Sequence, residues 1–437
     1  MRRFIVVGFF IFFSILNGWS RTPPSFVQVN GRSFVLNGQR YAFLGTNIWY
    51  AVNLGALAQG GNRARLVREL NRLKEMGITN LRIMGASEGL NQPKTVWPPI
   101  QPHPAQYDER LLKGMDFVLA EMAKRNMKAV IYLNNFWVWT GGMAQYVSWA
   151  TKEPLPNAFL PQYTWSQFMN FSARFYNNAR AQRWYEAYLS MLIQHRNTIT
   201  GVLYKDDPTI MSWQLANEPR PGEGAVGKSH FKAFAQWIHH AAAFIRSLDP
   251  NHLISTGNEG LFGCMRDSAL FLKIHNDPNI DYATFHLWAF NWGWFDPLNA
   301  RATFDSALIK ARRYVQEHIR LAETLQKPLV LEEFGLPRDD HSFSPKATTH
   351  YRDRYYQKVF EWVWENARGG GPLTGSNFWA WAGEGRARDA RHPTWQKGDA
   401  FTGDPPQEPQ GLNSVFDCDS STIAILKAFA RKMQTLK

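Results

Sequence analysis

Cysteine is scarce in this chain: 437 residues carry two, Cys264 and Cys418. A scaffold stapled by several disulfides is therefore excluded, and sequence leaves open whether these two sulfurs meet. Long apolar runs are missing as well, since no internal stretch approaches the ~20 residues of a membrane helix. The net charge is +13, but no run of Lys or Arg and no nucleic-acid motif concentrates it. The charge is read as solubility and attraction to acidic surfaces, and nucleic acid is not an expected partner. The basic stretch Lys310-Ala311-Arg312-Arg313 is expected on the outer face of a helix. No Gly-rich loop follows the first strand candidate, which argues against a dinucleotide or phosphate cradle. His392 and Asp389 lack a third partner at zinc spacing, so neither metal nor cofactor is expected. No low-complexity linker divides the chain, and residues 21–437 are expected to form a single domain.

Hydrophobic residues make up 45% and charged residues 19%, a balance that excludes a disordered chain. Aromatics reach 14%, with 18 Trp, several beside Asn, Gly or Pro where loops are expected. Flat rings exposed in grooves suit ligands with an apolar face, such as sugars. At the N-terminus, Met1-Arg2-Arg3 precedes an apolar run from Phe4 to Leu16 and the exit Asn17-Gly18-Trp19-Ser20. This is the pattern of a signal peptide over residues 1–20, and predicts a secreted, extracellular or periplasmic protein with no membrane association after cleavage. A monomer is expected.

Along the chain, strand-like and helix-like segments alternate. Two Asn-Gly turns within 25–40 predict a small hairpin before the main fold. Strands are predicted at Tyr41–Asn47, Thr79–Met84, Ala129–Asn134, Ile210–Ala216, His252–Thr256, Asp281–His286, Pro328–Glu332 and Ser376–Trp381. A helical pattern follows each, beginning with Leu66, Val67, Leu70, Leu73 and Met76 on one face and Gly77 as its stop. Eight such units favour a (β/α)8 barrel, a fold that runs from roughly 200 to more than 400 residues. The long connections at 85–108, 135–165, 287–305 and 382–420 follow strand ends, so they belong on the C-terminal face where barrel active sites are built.

Two carboxylates stand out there. Glu218 lies just past the fourth strand in Asn217-Glu218-Pro219, and Glu333 follows the seventh. A pair of this kind suits glycoside hydrolysis, with one acid protonating the leaving oxygen and one carboxylate attacking the anomeric carbon. Adjacent Glu332 competes with Glu333, but strand alternation lets only one face the mouth, and Glu332 is expected to pair with a base behind the sheet.

At these residues the chain resembles glycoside hydrolase family 5. Asn217-Glu218-Pro219 is similar to its acid/base motif and Glu333-Phe334-Gly335 to its nucleophile motif. Resemblance to the β-mannanases of that family rests on a larger set. It comprises Asn134-Asn135-Phe136-Trp137 with Gly141-Gly142 and Gln145-Tyr146, Arg220, His286-Leu287-Trp288 with Asn291-Trp292-Gly293-Trp294, Asn377 to Trp381, and Gly403 to Gly411. The resemblance spans about residues 30–430. It implies Glu218 as acid/base, Glu333 as nucleophile, Asn217 as a donor to the sugar 2-hydroxyl and Arg82 orienting Glu333. It also places His286 in the site, Trp379 as platform under the sugar, and Trp137 and Arg220 at flanking subsites. Many family members have Tyr where this chain has Trp288, which can offer only an indole N–H. Such a site needs Glu218 protonated near neutral pH, so a desolvated setting with a negative neighbour is expected to raise its pKa. The implied activity is a retaining endo-β-1,4-mannanase acting on β-mannan. An endo-β-1,4-glucanase or a non-catalytic sugar-binding relative is the alternative.

Overall fold

The computed structural model describes residues 25–90 and 92–436. The expected signal segment lies outside the described residues. Where one hairpin was expected, three short antiparallel strands form: β1 (Gln28–Asn30), β2 (Ser33–Leu36) and β3 (Gln39–Arg40). Asn37 and Gly38 both take positive φ, as a two-residue Asn-Gly hairpin turn requires. The first turn is shifted by one residue. Asn30 pairs with Ser33, so Gly31, at φ 57°, opens that turn.

Eight parallel strands follow: β4 (Phe43–Asn47), β5 (Asn80–Met84), β6 (Lys128–Tyr132), β7 (Ile210–Gln214), β8 (Leu253–Ser255), β9 (Ala283–Leu287), β10 (Leu329–Phe334) and β11 (Leu373–Phe378). They pair in the order β8-β7-β6-β5-β4-β11-β10-β9. A parallel bridge between Ser255 and Tyr282 joins β8 to the residue before β9 and closes the ring. The fold is thus the expected (β/α)8 barrel. The last barrel strand starts three residues earlier than predicted, because its Gly375 is a packing requirement and not a breaker. A Cβ there would stand 2.4 Å from the Phe43 ring.

The helices cover the outside with one apolar face each. In Ala300–Leu325 the buried positions include Phe304, Ala307, Ala311, Tyr314, Val315, His318 and Ala322. Lys310, Arg312 and Arg313 lie on the exposed face, as predicted. The small N-terminal sheet plugs the bottom, where Val27 and Phe34 pack with Phe43, Val130, Met211, Leu253, Tyr282 and Val330. This leaves the C-terminal end open. There a further parallel pair, β12 (Trp381–Gly383) and β13 (Val415–Phe416), ties together the two ends of the long 382–420 connection. Cys264 is buried and Cys418 exposed, both as free thiols. Among the described residues no helix is long and apolar enough to cross a membrane.

Candidate active site

A cleft of about 530 Å³ opens at the C-terminal end of the barrel. Trp137, Trp139, Phe159 and Trp165 line one wall, Phe262, Trp288 and Trp292 another, and Pro405, Gln407, Glu408, Pro409 and Leu412 a third. Trp379 lies in its lining, and its ring meets that of Trp288 edge-on at 6.0 Å. Three of the four long connections thus reach the cleft. The 85–108 segment supports it from behind: Glu88 accepts a hydrogen bond from Gly142 N at 2.9 Å, under the loop that carries Trp137 and Trp139.

Glu218 and Glu333 share the floor. One oxygen of each, together with His286 Nδ1, lie within 4.8 Å of one another. Among the described residues these three also form the one cluster with metal-ligand spacing. The nitrogen that would ligate an ion is already bonded to the carboxylates, Nδ1 reaching Glu218 Oε1 at 2.6 Å and Glu333 Oε2 at 3.2 Å.

Glu218 sits on a backbone held from both sides. Its own N–H donates to Gly257 O at 2.9 Å, and Asn217 N donates to Asn134 O at 2.8 Å. The Glu218 φ is 50°, a left-handed conformation that costs a non-glycine residue about 1–3 kcal/mol and aims the side chain into the cleft. Its carboxylate accepts from Trp137 Nε1 and His286 Nδ1. Trp137, expected at a flanking subsite, therefore touches the acid itself. Arg220 packs over the Trp137 ring at 4.6 Å and pairs with Glu259.

Electrostatically, Glu218 departs from expectation. Burial raises its carboxyl, but the hydrogen bond and positive charge of His286, with Arg220 beyond, bring it down to about 2. Burial would lower the His286 imidazole, and the charges and hydrogen bonds of Glu333 and Glu218 raise it to about 10. Glu259, beside Glu218, is a carboxyl that keeps its proton. Burial lifts it to about 8 against the attraction of Arg220, with the charge of Glu218 adding to the rise. An acidic neighbour does stand beside Glu218, but the proton rests on that neighbour and on His286.

Glu333 is served by Arg82, which is fully buried. The same guanidinium donates to Asn47 Oδ1 at 3.1 Å, Gln214 Oε1 at 2.8 Å and Asn217 Oδ1 at 2.7 Å. Asn217 in turn donates to Asn135 Oδ1 at 3.1 Å. Trp288, 8% exposed, makes no hydrogen bond to Glu333, whose Oε2 stands 3.2 Å from His286 Nδ1. Glu332 is not behind the sheet. The register of β10 against β9 slips between Leu331, opposite Phe285, and Glu333, opposite His286. The bulge turns both glutamates inward, since the extra residue breaks the alternation on which the expectation rested.

Sequence reasoning missed Glu259, Glu408 and Phe262. Glu259 had a signal: it stands four residues past the end of β8, the same offset that Glu218 has from β7. The exposed pair of Asp389 and His392, at 3.2 Å, lies off the cleft, as expected for solvated loop residues.

Comparison with known proteins agrees with this geometry. The chain is 31% identical over 428 residues to the putative mannan endo-1,4-beta-mannosidase 4 of Arabidopsis thaliana, covering 94% of this chain and 92% of that protein. Its fold superposes on the glycoside hydrolase family 5 mannosidase of Rhizomucor miehei with a TM-score of 0.87 at 36% identity, covering 94% and 98% of the two chains. The endo-beta-1,4-mannanase of Thermotoga petrophila gives 0.67 at 26% identity, over 91% and 78%. A model described as GH family 5 beta-mannosidase-like matches residues 24–437, all of the described barrel with every cleft residue named above. On these grounds the chain belongs to glycoside hydrolase family 5.

Proposed function

We propose that this protein is a retaining β-mannan hydrolase that cuts β-1,4-mannosidic bonds by double displacement. One observation carries the reading: oxygens of Glu218 and Glu333 lie within 4.8 Å of each other at the barrel mouth. Retaining pairs stand about 5–5.5 Å apart, whereas inverting pairs need about 6.5–9.5 Å to admit a water between them. Glu333 attacks the anomeric carbon and the glycosidic C–O bond breaks. Glu218 gives its proton to the departing oxygen, then removes one from the water that releases the sugar from Glu333. His286, at 2.6 Å from Glu218, is the nearest proton source for the first step. Arg82 orients Glu333, Asn217 meets the 2-hydroxyl, and Trp379 is the platform. Mannan specificity rests on the relatives, which are named as mannan endo-1,4-beta-mannosidases. Secretion rests on the N-terminal charged and apolar pattern.

Mid-chain cutting is the leading mode, from the long walls of the cleft. A specific observation favours an exo-acting second reading. The 382–420 segment walls one side with Gln407 and Glu408, and the fold superposes better on the Rhizomucor miehei mannosidase than on the Thermotoga petrophila endo-mannanase. Viscosity and product analysis on linear mannan, galactomannan and carboxymethyl cellulose separates them. Early loss of mannan viscosity, with an initial β-anomer by proton NMR, is expected. Mannose release at constant viscosity makes the enzyme exo-acting, an initial α-anomer excludes double displacement, and faster cutting of the cellulose derivative makes it a glucanase.

A further inference from the structure

Below the catalytic floor lies a buried acid that the mechanism does not use. The bulge in β10 turns Glu332 into the barrel interior, where it is 1% exposed. Its backbone carbonyl accepts from Asn47 Nδ2 at 2.8 Å. Its side chain is poorly served for a charged group. Oε1 accepts one bond, from the neutral amide of Gln214, and Oε2 has no hydrogen-bond partner. Arg82 Nε stands 3.8 Å from Oε2, beyond hydrogen-bond range, because that N–H is committed to Gln214 Oε1 at 2.8 Å. A buried carboxylate with one neutral donor bears the cost of a desolvated charge, whereas the protonated acid leaves only a neutral group short of a partner, which costs far less.

We propose that Glu332 is a positioning residue that works as a neutral acid: it fixes Gln214, Gln214 aims Arg82, and the unshared guanidinium serves Glu333. The link runs through adjacent bonds. Gln214 gives its amide N–H groups to Glu332 and to Ser255 Oγ, the latter at 2.9 Å, and its carbonyl to Arg82, so losing Glu332 removes one of the two bonds that fix the amide and loosens its hold on the guanidinium. Were Glu332 ionised, two carboxylates would compete for one guanidinium. The charged or titratable groups facing it are Arg82, His286, Glu333 and Tyr282. Burial pushes the Glu332 carboxyl up, against the opposing pull of Arg82 and His286.

The proposal rests on Glu333 being the nucleophile, and the test separates the two. The infrared difference spectrum of wild type minus Glu332→Gln at neutral pH should contain a protonated-carboxyl band; a carboxylate band alone overturns the neutral acid. Unfolding gives a second readout. The folded chain holds a proton on Glu332 that the unfolded chain releases above the ordinary glutamate range, so wild-type stability falls relative to Glu332→Gln as pH rises from there. Wild-type stability that stays level or rises relative to Glu332→Gln over that range overturns the proposal. For positioning, Glu332→Leu should lower kcat by about 10–100-fold with KM little changed, as expected when an interaction made in the transition state is lost, and Glu332→Gln should recover most of it. Full kcat in the Leu variant overturns the positioning role, and if that variant does not fold, the spectrum and the unfolding curves still decide the protonation state. An active Glu333→Ala enzyme would sink the proposed mechanism while leaving the infrared band in place.

Discussion

The two carboxylates of the cleft keep different company. Besides the His286 they share, Glu333 is held by Arg82, a fully buried guanidinium that does not titrate. Glu218 is surrounded by groups that trade protons or donate a neutral N–H: His286, Glu259 and Trp137. One side of the site supplies a fixed charge and the other a supply of protons. That asymmetry matches the division of labour in a double displacement. The nucleophile must stay charged until it bonds carbon, whereas the acid/base must change its protonation state in both steps.

Removing either carboxylate breaks the comparison most severely. Glu333→Ala should be inactive on mannan and on activated aryl mannosides alike, and added azide should give at best the inverted glycosyl azide. Glu218→Ala should lose about 10²–10⁴-fold on mannan, the share of a general acid, and much less on a substrate whose leaving group needs no proton. Azide should then restore turnover with retained configuration. Equal losses on natural and activated substrates would remove Glu218 from its role.

The fixed charge is tested next. Arg82→Gln leaves buried carboxylate charge uncompensated, so it should destabilise the fold by about 3–5 kcal/mol in denaturant titrations. It should also lower kcat by about 10²–10³-fold, the loss seen when a preorganised electrostatic donor is removed. Arg220→Gln, on the other side and part-exposed, should cost far less in both measurements. Equal costs would mean that permanence of charge is not what distinguishes the two sides.

The proton supply predicts a pH effect of definite sign. Glu259 holds its proton up to about pH 8 and loses it above. Its ionisation adds a negative charge beside Glu218, which binds the His286 proton more tightly and hinders its transfer, so kcat/KM should fall as pH rises through that range. Glu259→Gln cannot ionise, and its basic limb should move up toward the His286 value of about 10. Loss of activity across the whole pH range in this variant would make Glu259, and not His286, the source of the proton.

How much of this was legible in the sequence follows from what each signal depends on. The strand–helix alternation and the placing of Glu218, Glu333, Arg82 and His286 at strand ends depend on local periodicity, which survives folding. The fate of Glu332 depends on a bulge, a pairing register between distant segments that no local pattern encodes. Glu259 shows a different gap. Glu88, like Glu259, stands four residues past a strand end, and burial raises each to about 8. Yet Glu88 meets a backbone N–H behind the cleft, while Glu259 meets Arg220 and Glu218 within it. Offset and burial alone do not tell a prop from a participant; only the partner does, and the partner comes from another loop.

The smallest expected effect tests whether the Glu333 side is already complete. The family resemblance implies Tyr at the position of Trp288 in many members, and a phenol there could donate to the nucleophile. Here Arg82 bonds Glu333 and His286 Nδ1 stands 3.2 Å from its other oxygen, so both oxygens have a partner before any phenol is added. A further neutral hydrogen bond to a group so supplied is worth little, because it displaces existing donors instead of filling a vacancy. Trp288→Tyr should therefore change kcat by less than about threefold, well within 1 kcal/mol. KM should rise modestly as the smaller ring loses its edge contact with Trp379, now at 6.0 Å. Steady-state kinetics on mannan check both numbers. A rise in kcat of about tenfold or more would mean that the imidazole does not replace the phenol and that Arg82 alone leaves the nucleophile under-supported.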